Sequence, residues 1–181
     1  MQQCLSLLHS GLHHFRIAIN LSAEQFVDPE LIPTLKLLLD NYELQGCYFE
    51  LELTERTLVQ SIETMLNIMS QIKAMGIHFA IDDFGIGFSS LSYLQQLPLD
   101  RIKVDRAFIR DIDQPAGEVI AETIINLGKR LNLATIAEGV EHLAQEQAII
   151  AMGCDEVQGF MYAKPMPPSE LLLFLQQQSQ R

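Results

Sequence analysis

The chain has 181 residues, of which 48% are hydrophobic and 19% charged, and this composition supports one soluble globular domain with a buried core. Its net charge of −11 repels polyphosphates, which disfavours general nucleic-acid binding, so an anionic substrate would need bound metal or placed cations. The three scattered cysteines, Cys4, Cys47 and Cys154, include no C-x-x-C pair and indicate reduced thiols in a cytoplasmic protein. No apolar run spans a bilayer and no signal-peptide pattern is present, which leaves membership of a membrane-tethered protein open.

Short runs of β type alternate with longer helical patterns along the chain. The predicted strands are residues 15–21, 48–53, 77–82, 101–105, 134–138 and 156–158. Predicted helices lie near residues 1–11, 28–42, 59–72, 91–94, 120–131 and 142–152, and from 169 onward. Asp28 and Pro29 are interpreted as the N-cap and first residue of the second of these helices, and Gly76 as the C-cap of the third.

Six β-then-α units in succession predict an α/β fold with a parallel sheet. Short strands with moderate helices are typical of a TIM-like (β/α)8 barrel, which usually has about 250 residues and eight strands. We therefore expect a single domain over residues 1–181, truncated at the N-terminus to about six βα units. Such a six-stranded sheet would have two unpaired edges, so the fragment alone is expected to be unstable, aggregated or completed by a partner.

Polar residues recur where the predicted strands end. They are Asn20, Glu52, Asp82, Lys103, Asp105, Glu138 and Gln158. In a parallel barrel all these strand ends open on one rim, and strand parity places these side chains opposite the helix-facing apolar ones. A single acidic residue at a strand end more often caps the next helix than binds metal. Their shared phase across several strands favours a functional site.

The ligand types indicate the chemistry. Carboxylates with an amide oxygen form a hard site suited to Mg²⁺ or Mn²⁺. The adjacent pair Asp82 and Asp83 is placed to bridge two ions, and two metals together can activate water and neutralise a phosphodiester oxygen. Lys103 shares a strand face with Asp105, so it can touch the attacking water or a phosphate.

Six motifs, in order, cover almost the whole chain. They are I-N-L-S at 19–22, L-E-L-T-E at 51–55, D-D-F-G-I-G-F-S-S-L at 82–91, K-V-D-R-A-F at 103–108, A-E-G-V-E at 137–141, and a closing Q-G segment that runs to P-M-P at 158–167. On these motifs the chain resembles the EAL family of cyclic-di-GMP-specific phosphodiesterases. The resemblance implies hydrolysis of cyclic di-GMP to linear pGpG with two Mg²⁺ or Mn²⁺ ions.

The resemblance also assigns roles to single residues. The implied metal ligands are Asn20, Glu52, Asp82, Asp83 and Glu138. Lys103 would help to activate the water, with Glu138, Asp105 and Gln158 as further catalytic groups around metal and water. Glu55 would anchor the loop that follows Asp82 and Asp83, and a homodimer would form through that region. The residues that bind the substrate are not identified.

The chain also departs from the family pattern. The Glu-Ala-Leu tripeptide is absent together with the strand before it, and with them a metal-binding glutamate and a substrate-binding arginine of the family. Ile86 and Phe88 replace a small or hydroxylated residue and a tyrosine. These departures leave two alternatives to an active enzyme of this family: an inactive module that binds cyclic di-GMP or a protein, and a phosphodiesterase for another substrate. An upstream sensor, anchor or cyclase domain is compatible with all three.

Overall fold

A parallel sheet of six strands organises the chain. The computed structural model describes residues 1–55, 57, 61–86 and 94–178. The strands are β1 (Ile17–Asn20), β2 (Phe49–Thr54), β3 (His78–Phe84), β4 (Arg101–Val104), β5 (Ala134–Glu138) and β6 (Glu156–Gln158). They pair in sequence order, and all five pairings are parallel. This half-barrel confirms the predicted fold class.

Helices cover the outer face of the sheet. They are α1 (Gln2–His9), α2 (Ala23–Phe26), α3 (Leu31–Asn41), α4 (Ile62–Ala74), α5 (Arg106–Arg110), α6 (Pro115–Arg130), α7 (Leu143–Ala151) and α8 (Pro168–Gln178), with a 3-10 turn at Gly46–Tyr48. Within the part of the chain that the structure describes, no helix is long and apolar enough to cross a membrane. The helix predicted near residues 91–94 lies mostly outside the described residues.

The predicted set of helices needs two corrections. Helix α3 begins at Leu31 rather than at Pro29, because the Asp28 carboxylate accepts a hydrogen bond from the backbone N–H of Glu30 and so stabilises a turn before the helix. Helix α2 was not predicted, although Ser22 and Gln25 form a capping box there. A helix of four residues is too short to show a hydrophobic period.

The core lies between the sheet and its helices. Alternate strand side chains such as Leu51, Phe79 and Ile102 are fully or almost fully buried in one cluster with apolar helix residues. Helix α6 approaches the sheet through Gly128, where a Cβ atom would lie 2.4 Å from the Thr135 methyl group. The sequence spacing predicts an apolar face made of Ile120, Ile124, Leu127 and Leu131. This prediction is partly wrong, because Ile120 is 39% exposed and the glycine side packs inward.

The sheet has an open side between β1 and β6, its two outermost strands in the described part of the chain. Ala18, Ile19 and Asn20 of β1 are exposed, as are Glu156 and Gln158 of β6. Beside this opening, α1 and α8 border an apolar groove of about 450 Å³. The inner face of the half-barrel is consequently open to solvent on one side.

Candidate metal and catalytic site

Three carboxylates from three strands converge on one buried lysine. Lys103 Nζ lies 2.6 Å from Glu52 Oε1, 2.6 Å from Glu138 Oε1 and 3.1 Å from Asp82 Oδ1. The strand order explains this convergence, because β3 and β5 flank β4, β2 lies beyond β3, and all four strands end on the same rim. Only 4% of the Lys103 side chain is exposed, so these ion pairs are largely shielded from water.

The carboxylates keep Lys103 charged. Burial by itself would lower the pKa of Lys103, but hydrogen bonds to Glu138 and Glu52 outweigh it and raise that pKa well above the ordinary value. Burial raises the pKa of Glu138, and its contact with Lys103 offsets only part of the increase. At neutral pH Lys103 is therefore a hydrogen-bond donor and a positive charge, not a proton acceptor.

A β-bulge presents Asp82 and Asp83 together. The β3–β4 register pairs Ile81 with Ile102 and Phe84 with Val104, so two residues of β3 face one residue of β4. Asp83 adopts a left-handed backbone with φ of 53°. The bulge interrupts the alternation of the strand, and ligand oxygens of Asp82, Asp83 and Glu138 come within 4.8 Å of one another.

This donor set fits a divalent cation. Its three ligand atoms are carboxylate oxygens, which suit Mg²⁺ and Mn²⁺. Burial, a hydrogen bond shared with Asp105 and the charge of Asp82 raise the pKa of Asp83, which shows how crowded the negative charge is. A bound cation would relieve that repulsion.

Asp105 has a structural contact as well as a place in the site. Its Oδ1 accepts a hydrogen bond of 2.7 Å from the backbone N–H of Ala107 and caps helix α5. The same buried carboxyl group interacts with Asp83. Asp105 thus links the start of α5 to the acidic cluster.

The remaining predicted residues lie around this centre. Glu55 is buried, and its Oε1 accepts a hydrogen bond of 3.1 Å from the backbone N–H of Gly85 in the turn after β3. Asn20 is the register partner of Glu52, and Gln158 is the register partner of Glu138. Both are exposed at the ends of the two outermost described strands, β1 and β6. The structure thus brings Glu52, Asp82, Asp83, Lys103 and Glu138 together and places Asn20 and Gln158 beside them.

Part of the loop after β3 lies outside the described residues. Ile86 is described and is 60% exposed. Phe88 and the other residues of 87–93 are not described, and most of the predicted dimer region falls among them. The dimer stays a prediction.

A cavity of mixed charge adjoins the acidic cluster. This cavity of about 1000 Å³ is lined by Arg106, Arg110 and His142 as well as by Asp83, Asp105, Glu138 and Glu141. Sequence reasoning missed the two arginines and the histidine as site candidates. Arg106 directly follows Asp105 in the K-x-D-R motif, but Arg110 and His142 lie on a helix and at a helix N-cap, where a single sequence gives no functional signal.

Comparison with known proteins identifies the family. A family model described as the EAL domain matches residues 1–165. The chain belongs to the EAL domain family. The bifunctional diguanylate cyclase/cyclic di-GMP phosphodiesterase MucR of Pseudomonas aeruginosa is 40% identical over 166 residues, which cover 91% of this chain and 24% of MucR. This EAL domain chain spans roughly a quarter or less of the curated relatives that it matches.

Solved EAL structures share the fold. The PaMucR phosphodiesterase in complex with c-di-GMP matches with a TM-score of 0.90 at 38% identity, covering 94% of this chain and 69% of that chain. Klebsiella pneumoniae BlrP1, solved with manganese and c-di-GMP, matches with a TM-score of 0.78 at 28% identity, covering 88% of this chain and 41% of that one. Related EAL structures thus include complexes with a divalent metal and this dinucleotide.

Proposed function

We propose that this EAL domain hydrolyses cyclic di-GMP to linear pGpG with Mg²⁺ or Mn²⁺, two ions per site. The observation that carries the proposal is the convergence of Glu52, Asp82 and Glu138 on Lys103, with Asp83 beside them. Family membership makes cyclic di-GMP the first substrate to test. Asn20, Glu52, Asp82, Asp83 and Glu138 would hold the metal.

The reaction adds water to one phosphodiester. The water oxygen bonds to phosphorus, the bond between phosphorus and the 3′ oxygen breaks, and that oxygen takes up a proton, so the product carries a 5′ phosphate. When bound, a divalent metal lowers the pKa of water and neutralises charge on the phosphate. This chain's carboxylates orient the reacting groups, and Asp105 and Gln158 stand at the same rim as further polar partners.

Lys103 contributes charge and hydrogen bonds in this proposal. Because its pKa is raised by its carboxylate partners, it stays protonated and can donate to the attacking water or to a phosphate oxygen. Donors fixed in a buried site stabilise developing negative charge without reorganisation. Glu52 and Glu138 fix the ammonium group from two sides.

Two arginines in the neighbouring cavity suit a substrate with two phosphates. Arg106 and Arg110 line it together with the acidic residues, and Arg110 also pairs with Asp111. The net charge of the chain is −11, so locally placed cations are needed to attract an anionic dinucleotide. We infer that one phosphodiester lies at the acidic cluster while the rest of the ligand extends into this cavity.

Product analysis tests the proposal. The chain alone, and the chain preceded by the two N-terminal strands expected of an EAL domain, are incubated with cyclic di-GMP and Mn²⁺, and pGpG is quantified by chromatography. We expect pGpG from the extended protein, loss of product with a chelator and strong reduction in Glu138→Gln. Linear and other cyclic dinucleotides serve as competing substrates. No pGpG from the extended protein at high metal concentration would contradict the proposal.

A binding role without hydrolysis is the second candidate. Ile86 departs from the family pattern in the turn after β3, and this departure favours the binding role. Calorimetric titration of cyclic di-GMP with and without Mn²⁺ separates the two candidates. Tight binding without turnover in the extended protein would support the binding role.

A further inference from the structure

A second layer of charged residues lies directly below the proposed metal site. Glu50 Oε2 is 3.3 Å from Arg16 Nη1 and 3.5 Å from Arg101 Nε, and Arg101 also forms an ion pair with Glu156. Glu50 is 2% exposed although it is ionisable. The layer joins the segment before β1 to β2, β4 and β6.

Strands β2 and β4 each carry one charged residue of this lower layer and one of the proposed metal site above it. Glu50 precedes Glu52 by two positions on β2, and Arg101 precedes Lys103 by two positions on β4. Residues two apart on a strand point to the same face, so the two acidic residues and the two basic residues are stacked in parallel columns. Arg101 therefore pairs with the lower carboxylate, Glu50, whereas Lys103 pairs with the carboxylates of the proposed metal site.

We propose that Arg101 is a positioning residue, which keeps Lys103 at the reaction centre by occupying the buried carboxylate of Glu50. The inference rests on the proposed function, because it concerns the lysine that this function uses.

The physical argument concerns competition for a cation. A buried carboxylate without a partner is strongly destabilised, so it recruits a cation within reach. Arg16 contacts the same oxygen of Glu50, Oε2, but its side chain is 26% exposed beside an open sheet edge. Without Arg101, Lys103 is the next cation on the same strand and face. Movement of Lys103 toward Glu50 would take it from Glu52, Asp82 and Glu138.

Four variants of the extended protein test this inference: Arg101→Met, Glu50→Gln, the two combined, and Glu156→Gln. Arg101→Met is expected to lower kcat for pGpG formation by about 10- to 100-fold, the usual effect of losing an outer partner of a metal site, with little change in KM. It should also bind Mn²⁺ more tightly, measured by the EPR signal of free Mn²⁺, because the carboxylates have lost their competing lysine. The combined variant should recover both values, since it no longer contains the carboxylate that recruits Lys103.

The controls separate positioning from support of the fold. Glu156→Gln removes the other partner of Arg101 and should leave kcat and Mn²⁺ affinity near their original values. If Arg101 only held the strands together, Arg101→Met would bind Mn²⁺ more weakly and the combined variant would not recover. Either result overturns the inference. Urea unfolding checks that the variants fold, and Arg101→Gln replaces Arg101→Met if the latter does not. If the unaltered protein makes no pGpG, the proposed function fails, whereas the Mn²⁺ series still decides the role of Arg101.

Discussion

Lys103 competes with metal for the same carboxylates. Its ammonium group lies 2.6 to 3.1 Å from Glu52, Asp82 and Glu138, so it repels an incoming dication while it holds their oxygens together. Its roles in metal binding and in turnover should therefore respond in opposite directions to its removal.

Lys103→Met is expected to bind Mn²⁺ at least as tightly as the unaltered chain but to lose about 100- to 1000-fold in kcat, as when a transition-state donor is removed. EPR titration and product chromatography measure the two effects. Lys36→Met, at an exposed position of α3, is the matched control and should change neither. Weaker Mn²⁺ binding in Lys103→Met would show that the ammonium group supports the metal site instead of opposing it.

Asp83 combines a proposed ligand role with an unusual backbone. Its left-handed φ of 53° is tolerated by Asp, Asn and Gly and costs about 1–2 kcal/mol for other residues. Asp83→Asn should therefore keep the thermal stability and weaken Mn²⁺ binding, whereas Asp83→Ala should lose both. Differential scanning calorimetry and EPR titration distinguish the two variants. Equal melting temperatures for Asn and Ala would show that the backbone at this bulge is not strained.

Two aspartates that precede strands hold the neighbouring strands. Asp100, before β4, accepts a hydrogen bond of 2.8 Å from the backbone N–H of Phe79 in β3, and Lys73 Nζ donates to the same carboxylate. Asp155, before β6, accepts bonds of 2.8 Å from the backbone N–H and the hydroxyl of Thr135 in β5. The repeated contact sets the height of β4 and β6 in the sheet, and thereby the level of Lys103 and Gln158 at the rim.

Asp100→Asn is expected to lower the free energy of unfolding by about 2–3 kcal/mol at pH 7, since bonds to a charged group are lost. Burial alone would raise the pKa of Asp100, but bonds from Lys73 and Phe79 outweigh it and lower that pKa below 3.8. The stabilisation is therefore complete above pH 3.8 and disappears as the pH falls through the lowered pKa of the folded state. Urea unfolding at several pH values measures it, with Asp40→Asn, at an exposed position of α3, as the control. A loss independent of pH would exclude the charge as its cause.

The sequence predicted the regular strands better than the irregular site. The short β-type runs located all six strands, and β5 and β6 agree to the residue. The bulge at Asp82 and Asp83 was not predictable, since it depends on register against β4. The apolar face of α6 was misjudged because two of its inward positions are glycines, which carry no hydrophobic signal.

The candidate site residues were predicted from their shared position at strand ends, which a parallel sheet converts into proximity. The contact of Lys103 with three carboxylates was beyond that reasoning, because it depends on side-chain reach from β4 to the adjacent β5 and, past β3, to β2. The lower charged layer of Glu50 and Arg101 was missed for a related reason. Inward-facing residues near the start of a strand belong to none of the six motifs. Only the structure shows that they lie directly below the residues of the rim.

The open side of the sheet governs the behaviour of the molecule as a whole. In the described part of the chain, β1 and β6 each pair on one side only, which leaves backbone N–H and C=O groups of parallel strands available to another chain. The apolar groove between α1 and α8 lies next to them. Backbone pairing and apolar burial therefore favour association through the same surface.

The 181-residue chain expressed alone is accordingly expected to self-associate, with light-scattering mass rising with concentration and a broad, concentration-dependent thermal transition. Extension by two N-terminal strands should abolish the edge-mediated association, because the added strands occupy the space between β1 and β6. Charge substitutions at Ile19, which is 40% exposed on β1, should reduce association of the short chain. A soluble monomer with a sharp transition independent of concentration would mean that the two edges are covered in another way, and the half-barrel would then be a self-sufficient fold.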